Sequence, residues 1–255
     1  MWQHRPMTRR FDTSALTRRP AGADWRRFRA EAAAGEHGAD LVAERWWQRG
    51  MDWWLGTRTR YRLTRFARAN GLDLQPRPAI PRPAAAVFHS APAQRQHLDR
   101  ITVPGPYGFV IGNYEEVFEG PGEATGYDAG YLIVPLRESY PPSWVSRQEH
   151  GRPRRLRDVD PVPIAAGCCL WSRKPEFPLL QRLLSDGLVE KALAISGGAT
   201  VEVVGNELFV VLGGGHFRLT SPRLWGQVED VVATVAPFHA QQTGAGTGIN
   251  AVSRR

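Results

Sequence analysis

The sequence predicts an α+β fold, a mostly antiparallel sheet with helices packed on one side and an amphipathic helix ahead of it. Three observations predict this. From about Ile101 apolar residues recur with a period of two, clearest over Gly108 to Phe118 and Gly130 to Leu136. Glu176 to Ile195 and Ser221 to Val235 each carry one apolar face at helical spacing. Asp40 to Leu55 sets tryptophans against arginines on a helical wheel.

Along the chain, residues 1–38 read as a basic, mobile arm, because Arg9-Arg10, Arg18-Arg19 and Arg26-Arg27 are separated by Pro20 and small residues. Residues 39–72 form a Trp/Arg-rich helical segment. Asp40 is suited to cap its start. Trp46-Trp47 and Trp53-Trp54 lie seven residues apart, about two helical turns, and so share one half of the helix. Arg45, Gln48, Arg49 and Asp52 take the other half. Gly56-Thr57 is expected to interrupt, with a second helix through Tyr61, Leu63, Phe66 and Ala67 that Asn70-Gly71 stops. Residues 73–99 read as a Pro/Ala-rich extended connection, since each proline removes a donor and fixes φ.

Residues 100–238 are expected to be the α+β domain. Glu119 to Ala129, with three glycines and a proline, reads as a long hairpin loop, and Ser139 to Pro163 as irregular. Ile164 to Ser172 reads as a strand of small and apolar residues. Glu176 to Ile195 buries Phe177, Leu180, Leu183, Leu184 and Leu188, and Gly197-Gly198 ends it. Val201 to Val204 and Glu207 to Leu212, joined by Gly205-Asn206, read as a tight hairpin. Ser221 and Pro222 open the last helix, which buries Trp225, Val228, Val231, Val232 and Val235. Residues 239–255 read as a disordered tail.

Charge is unevenly laid out. The chain of 255 residues has a formal charge of +8; residues 1–68 hold 15 arginines and 7 acids, and the remainder is balanced. Lys174 and Lys191 are the only lysines. Such an Arg-rich, Ala- and Pro-rich bias fits a high-GC genome, so arginine content alone is weak support for phosphate binding. The two cysteines, Cys168 and Cys169, are adjacent, which implies no disulfide framework and favours a reducing, cytoplasmic setting. There is no signal peptide pattern and no run of about 18 apolar residues.

No catalytic residue is assigned. The seven histidines, at 4, 37, 89, 97, 150, 216 and 239, show no metal-ligand spacing, so no metal or cofactor is expected. Cys168-Cys169 lies in an apolar strand, where burial favours the inert thiol. Gly213-Gly214-Gly215-His216 lacks the helix a phosphate loop needs directly after it. Gly244 to Gly248 follows no strand. Among the acids around Tyr114, alternation puts Glu115 and Glu116 on opposite faces. No nucleic-acid reader motif is present, which ranks nucleic-acid binding low.

Arg62-Leu63-Thr64-Arg65-Phe66-Ala67-Arg68-Ala69-Asn70-Gly71-Leu72 resembles an R-L-x-x-F-A-x-x-N-G segment of uncharacterised actinobacterial proteins. Phe109 to Tyr114, Gly130 to Leu136, Val201 to Leu208 and Ser221 to Trp225 are similar to that family's central hairpin, closing hairpin and helix, over roughly residues 58–238. The resemblance implies an α+β domain held at the cytoplasmic side of a membrane, and no established activity. Where those proteins have spanning helices, this chain has the Trp/Arg helix and the basic arm.

These readings converge on a non-enzymatic binding or scaffolding protein, cytoplasmic and peripheral to the inner face of the plasma membrane. Trp46, Trp47, Trp53 and Trp54 would supply apolar area, and Arg45, Arg49, Arg58, Arg60 and Arg62 charge toward an anionic membrane surface. The alternative is a soluble assembly component, a homo-oligomer among its forms, that docks on a protein partner through the same helix.

Overall fold

The computed structural model describes residues 11–19, 22–33, 46–76, 78, 85, 94–118, 125–147 and 153–239, with the side chains of 46–56, 94–96, 117–118, 125 and 154 outside that description. The elements run α1 (Ser14–Thr17), α2 (Gly22–Ala33), α3 (Trp46–Asn70), β1 (Asp73–Gln75), β2 (Gln94–Val103), β3 (Phe109–Phe118), β4 (Thr125–Ser146), β5 (Val162–Pro163), β6 (Cys169–Ser172), α4 (Pro178–Ser185), α5 (Leu188–Ile195), β7 (Ala199–Gly213) and α6 (Pro222–Val235). It is an α+β fold. The seven strands form one sheet in the order β1-β2-β3-β4-β6-β5, with β7 also on β4, and every strand pair is antiparallel.

β4 is the axis of the sheet. Its 22 residues pair with β3 and then β6 along one edge and with β7 along the other. It continues through Pro141 and Pro142, where an irregular segment was expected, and its start reaches into the expected loop, with Asp128 already opposite Glu115. β7 is likewise one 15-residue strand, so Gly205-Asn206 does not turn a hairpin. The reason lies in the side-chain parity. Val201 and Val203 are in the main core, and so are Leu208 and Val210. Odd positions point inward before Gly205 and even positions after it, so a one-residue slip is needed between them. Gly205, with φ of +60°, makes that slip where the register against β4 shifts, the extra residues of the pairing lying on β4 between Pro135 and Ser143. The same dipeptide that marks a tight turn locally is used here to keep a long strand facing one core.

Helices pack on one face of the sheet, as expected. Ile101, Val103, Ile111, Leu132, Val134 and Val210 of the sheet share a core with Leu63 and Phe66 of α3, Leu180 and Leu183 of α4, Leu188 and Val189 of α5, and Trp225, Val228, Val231, Val232 and Val235 of α6. The expected apolar face of α6 is buried in full. Ser221 and Pro222 open it at the expected place, although the Ser221 side chain makes no cap hydrogen bond. The single helix expected over 176–195 is two, α4 and α5, because Gly187 sits at φ of +75° between them.

The opposite face holds a second cluster, Val110, Tyr114, Ala129, Tyr131, Phe209 and Val211, joined by Ala85 from the Pro/Ala-rich connection. Trp144 and Trp171, directly opposite each other on β4 and β6, pack under Leu156 and Val159. Near them, buried Glu202 of β7 accepts a 2.6 Å hydrogen bond from the Arg155 guanidinium. So Arg155, one of four arginines between residues 152 and 157, is committed to the fold.

The N-terminal segment departs most from expectation. Where described, the expected mobile arm is α1 and α2, docked on α3. Phe11, Ala15 and Leu16 are the anchors. Phe11 lies 5.0 Å from Trp225, 5.9 Å from Phe66 and 6.3 Å from Phe109, centroid to centroid. Leu16 is fully buried. The Asn70 side chain accepts from Asp12 N–H at 2.8 Å and donates back to Asp12 carbonyl at 3.1 Å. The arginine pairs dominate the composition of this segment, while Phe11, Ala15 and Leu16 decide its packing. Residues 1–10, 34–45 and 240–255, including Asp40 and Arg45 and the 244–248 glycines, lie outside the described residues.

Candidate functional site

α3 is one unbroken helix of 25 residues. Gly56 weakens it by about 1 kcal/mol relative to alanine without breaking it. Gly71, at φ of +62°, ends it: Leu72 N–H donates to Ala67 carbonyl at 2.8 Å and Gly71 N–H to Arg68 carbonyl at 3.4 Å, the two bonds of a Schellman cap. The C-terminal half is fixed on two sides. Leu63, Phe66 and Ala67 face the sheet core, and Tyr61 meets Phe28 at 5.3 Å and Trp25 at 5.2 Å from α2. Positions 46, 47, 53 and 54 fall on the same helical stripe as Thr57 and Tyr61. The tryptophan positions are therefore carried by a helix whose other half is rigidly built into the domain.

The arginines of α3 separate into two sets. Arg60 turns toward the sheet and forms an ion pair with Asp99 of β2 at 2.7 Å. Arg58, Arg62 and Arg65 follow one another at i, i+4 and i+7 on a different stripe. Burial, and then the charge of Arg58, push the Arg62 guanidinium below its ordinary pKa. Arg62 has no ion pair among the described residues, and its Nε is shielded from solvent without a hydrogen-bond partner there. Arg65 lies over the Tyr61 ring at 5.5 Å and donates to its hydroxyl at 3.3 Å. Of the nine residues expected to bind, only Arg58, Arg60 and Arg62 have described side chains, and Arg60 is set apart from the other two.

Beside this stripe, α1, α2 and α3 enclose a cleft of about 420 Å³. Arg18, Arg27, Arg65 and Arg68 line it together with Asp12, Asp24 and Glu31, over a floor that includes Phe28 and Tyr61. The cleft exists only because α1 and α2 dock, so nothing in the local sequence pattern announced it.

Glu116 and Cys168 are on different faces of the sheet. Glu116 is buried on the second face of the sheet, where the Tyr114 hydroxyl donates to it at 2.8 Å. Cys168 is in the helix-side core, and burial pushes its thiol up, away from the reactive thiolate. His89 lies outside the described residues. Glu115 and Glu116 do point to opposite faces: Glu115 is partly exposed and stands near Asp128 and His216. Among the described residues, these three are the group whose donor atoms lie close enough together to hold a metal ion.

His97 belongs to the same buried layer as Glu116. Its Nδ1 is 3.0 Å from the Tyr131 hydroxyl, and its ring packs edge-on against Tyr114 at 4.9 Å. Burial, helped by the neighbouring Arg100 charge, pushes its pKa down to about 4. The imidazole is thus neutral in the fold. Between about pH 6.5 and 4 the unfolded chain binds a proton that the folded one refuses, so stability falls as pH falls through that window, by about 3 kcal/mol at most. Urea unfolding at pH 7.5 and 4.5 measures this. His97→Gln, which keeps a partner for Tyr131, is expected to flatten the slope; an equal slope in both proteins would remove His97 as its cause.

No family model matches the chain, and no curated protein matches it. The crystal structure of the mycobacterial trehalose monomycolate transport factor A, TtfA, is similar over 68% of this chain and 93% of that one, with a TM-score of 0.39 and 11% sequence identity. A likeness this distant assigns no function. No described helix is long and apolar enough to cross a membrane.

Proposed function

We propose that this protein is a non-enzymatic binding protein that attaches to an anionic membrane surface through α3. The observation that carries the reading is the charge of that helix: six arginines and one acid, Asp52, over Trp46–Asn70. Arg60 is committed to an ion pair with Asp99, while Arg62 has none among the described residues. Burial first, and then the charge of Arg58, press on the Arg62 guanidinium, so a nearby anion would stabilise it. Tryptophan adds apolar area of the kind that settles at headgroup depth, where its ring is buried and its N–H stays wet. The Schellman cap and the aromatic contacts of Tyr61 and Phe66 hold the helix in fixed relation to the sheet, so binding at α3 orients the whole domain.

The test is co-sedimentation of the intact chain with phosphatidylglycerol–phosphatidylcholine vesicles at low salt. Binding is expected, and it is expected to weaken with added salt. Each arginine near the surface contributes about 1 kcal/mol, so Arg58→Gln with Arg62→Gln should weaken partitioning by about 30-fold. Trp53→Ala should weaken it independently of salt. If the intact chain does not sediment with anionic vesicles, the membrane reading fails; if Trp53→Ala instead changes the oligomeric mass, the helix docks on protein.

A further inference from the structure

Glu115 of β3 and Asp128 of β4 are directly opposed in register, so two carboxylates stand side by side on adjacent strands. Like charges so placed destabilise a sheet unless a cation lies between them. The residue that faces them is His216, from the loop after β7. Its Nε2 is 3.7 Å from Glu115 Oε1 and 3.8 Å from Asp128 Oδ1. Both distances are too long for hydrogen bonds. Nε2 is nonetheless shielded from solvent and has no hydrogen-bond partner among the described residues. All three donor atoms lie within 4.8 Å of one another. Donors about 2.1 Å from a tetrahedral ion are about 3.4 Å apart, so a small rotation of the side chains closes the shell.

The segments that carry these donors are tied together below them. Gly214 and Gly215 N–H both donate to Asp128 carbonyl, at 2.8 and 3.1 Å. The buried Asn113 side chain takes both polar groups of Phe217, accepting from its N–H at 2.7 Å and donating to its carbonyl at 3.2 Å. His216 is therefore held between two fixed residues, and its ring is offered to the carboxylates by the backbone of three segments.

We propose that Glu115, Asp128 and His216 form a binding site for a divalent first-row transition cation. One imidazole nitrogen and two carboxylate oxygens suit Zn²⁺ or Mn²⁺ more than the softer copper(I), which prefers sulfur. Each of the three side chains is partly exposed, from 32% to 51%, so water completes the coordination and the ion can exchange. The site is on the β3–β4 side of the sheet and is independent of α3.

The intact protein, stripped with EDTA and titrated with ZnCl₂ by calorimetry, is expected to bind one equivalent. His216→Ala removes a ligand and should weaken that equivalent by at least the roughly 10–100-fold that losing even a supporting partner costs. Glu115→Gln keeps the shape and half-exposed position of the side chain, so it keeps the fold while removing the charge; it should lose both the binding and the rise in melting temperature that ZnCl₂ gives the parent. Zinc binding of the same strength and stoichiometry in both variants would overturn the assignment, as would the absence of zinc binding to the parent.

Discussion

Trp225→Ala is expected to lower stability by about 3–5 kcal/mol, the range for truncating a fully buried tryptophan. The side chain has no exposed surface, and its indole N–H donates to Leu219 carbonyl at 2.8 Å. It also lies 4.5 Å from Phe66 and 5.0 Å from Phe11, centroid to centroid. Trp225 thus joins α6 to α3 and to the residue that leads into α1. The loss should appear in urea unfolding as a lower midpoint with little change in slope. Trp225→Phe, which keeps most of the ring and loses the hydrogen bond, should cost distinctly less. If α1 remains protected from proteolysis in Trp225→Ala at native conditions, the aromatic cluster is not what docks it.

Gly130→Ala is the second large effect. A Cβ at this position would sit 2.6 Å from the Phe217 ring carbons and 2.7 Å from its backbone nitrogen. The ring could shift, but the nitrogen is held by Asn113. Overpacking of this kind costs about 1–3 kcal/mol. It should also displace the residue next to His216, so zinc affinity and stability are expected to fall together. A variant as stable as the parent that still binds zinc would show that Phe217 is free to move. Gly126, by contrast, has among the described residues only Glu116 carbonyl near its would-be Cβ, at 3.9 Å, and Gly126→Ala should be close to neutral.

These two sites show where local reading succeeds and where it stops. The face of α6 was legible because Trp225, Val228, Val231, Val232 and Val235 repeat at helical spacing, and a helix buries what its period collects. The end of α3 was legible because Asn-Gly has a backbone preference of its own. Gly205-Asn206 was misleading for the same reason. A glycine at positive φ serves a turn or a bulge equally well, and only the partner strand selects between them. Gly130 gave no sign at all, because its constraint comes from Phe217, 87 positions later in the sequence.

The candidate sites divide in the same way. Tryptophan and arginine on α3 were visible as composition on one helix, and the grouping of Arg58 with Arg62 follows from helical geometry alone. That Arg60 belongs elsewhere required Asp99 to arrive from β2. Glu115 and Glu116 were separable by strand alternation, yet His216 could be added only by folding three distant segments together.

What the sequence determined by itself is therefore the class of the fold, the apolar faces of its helices and the cationic character of α3, since these depend on spacing and composition within one element. The tertiary structure decided that α1 and α2 dock, that β4 and β7 run unbroken, and that Glu115, Asp128 and His216 converge. Each of those turns on contacts between residues far apart in the chain, whose free energy no local period records.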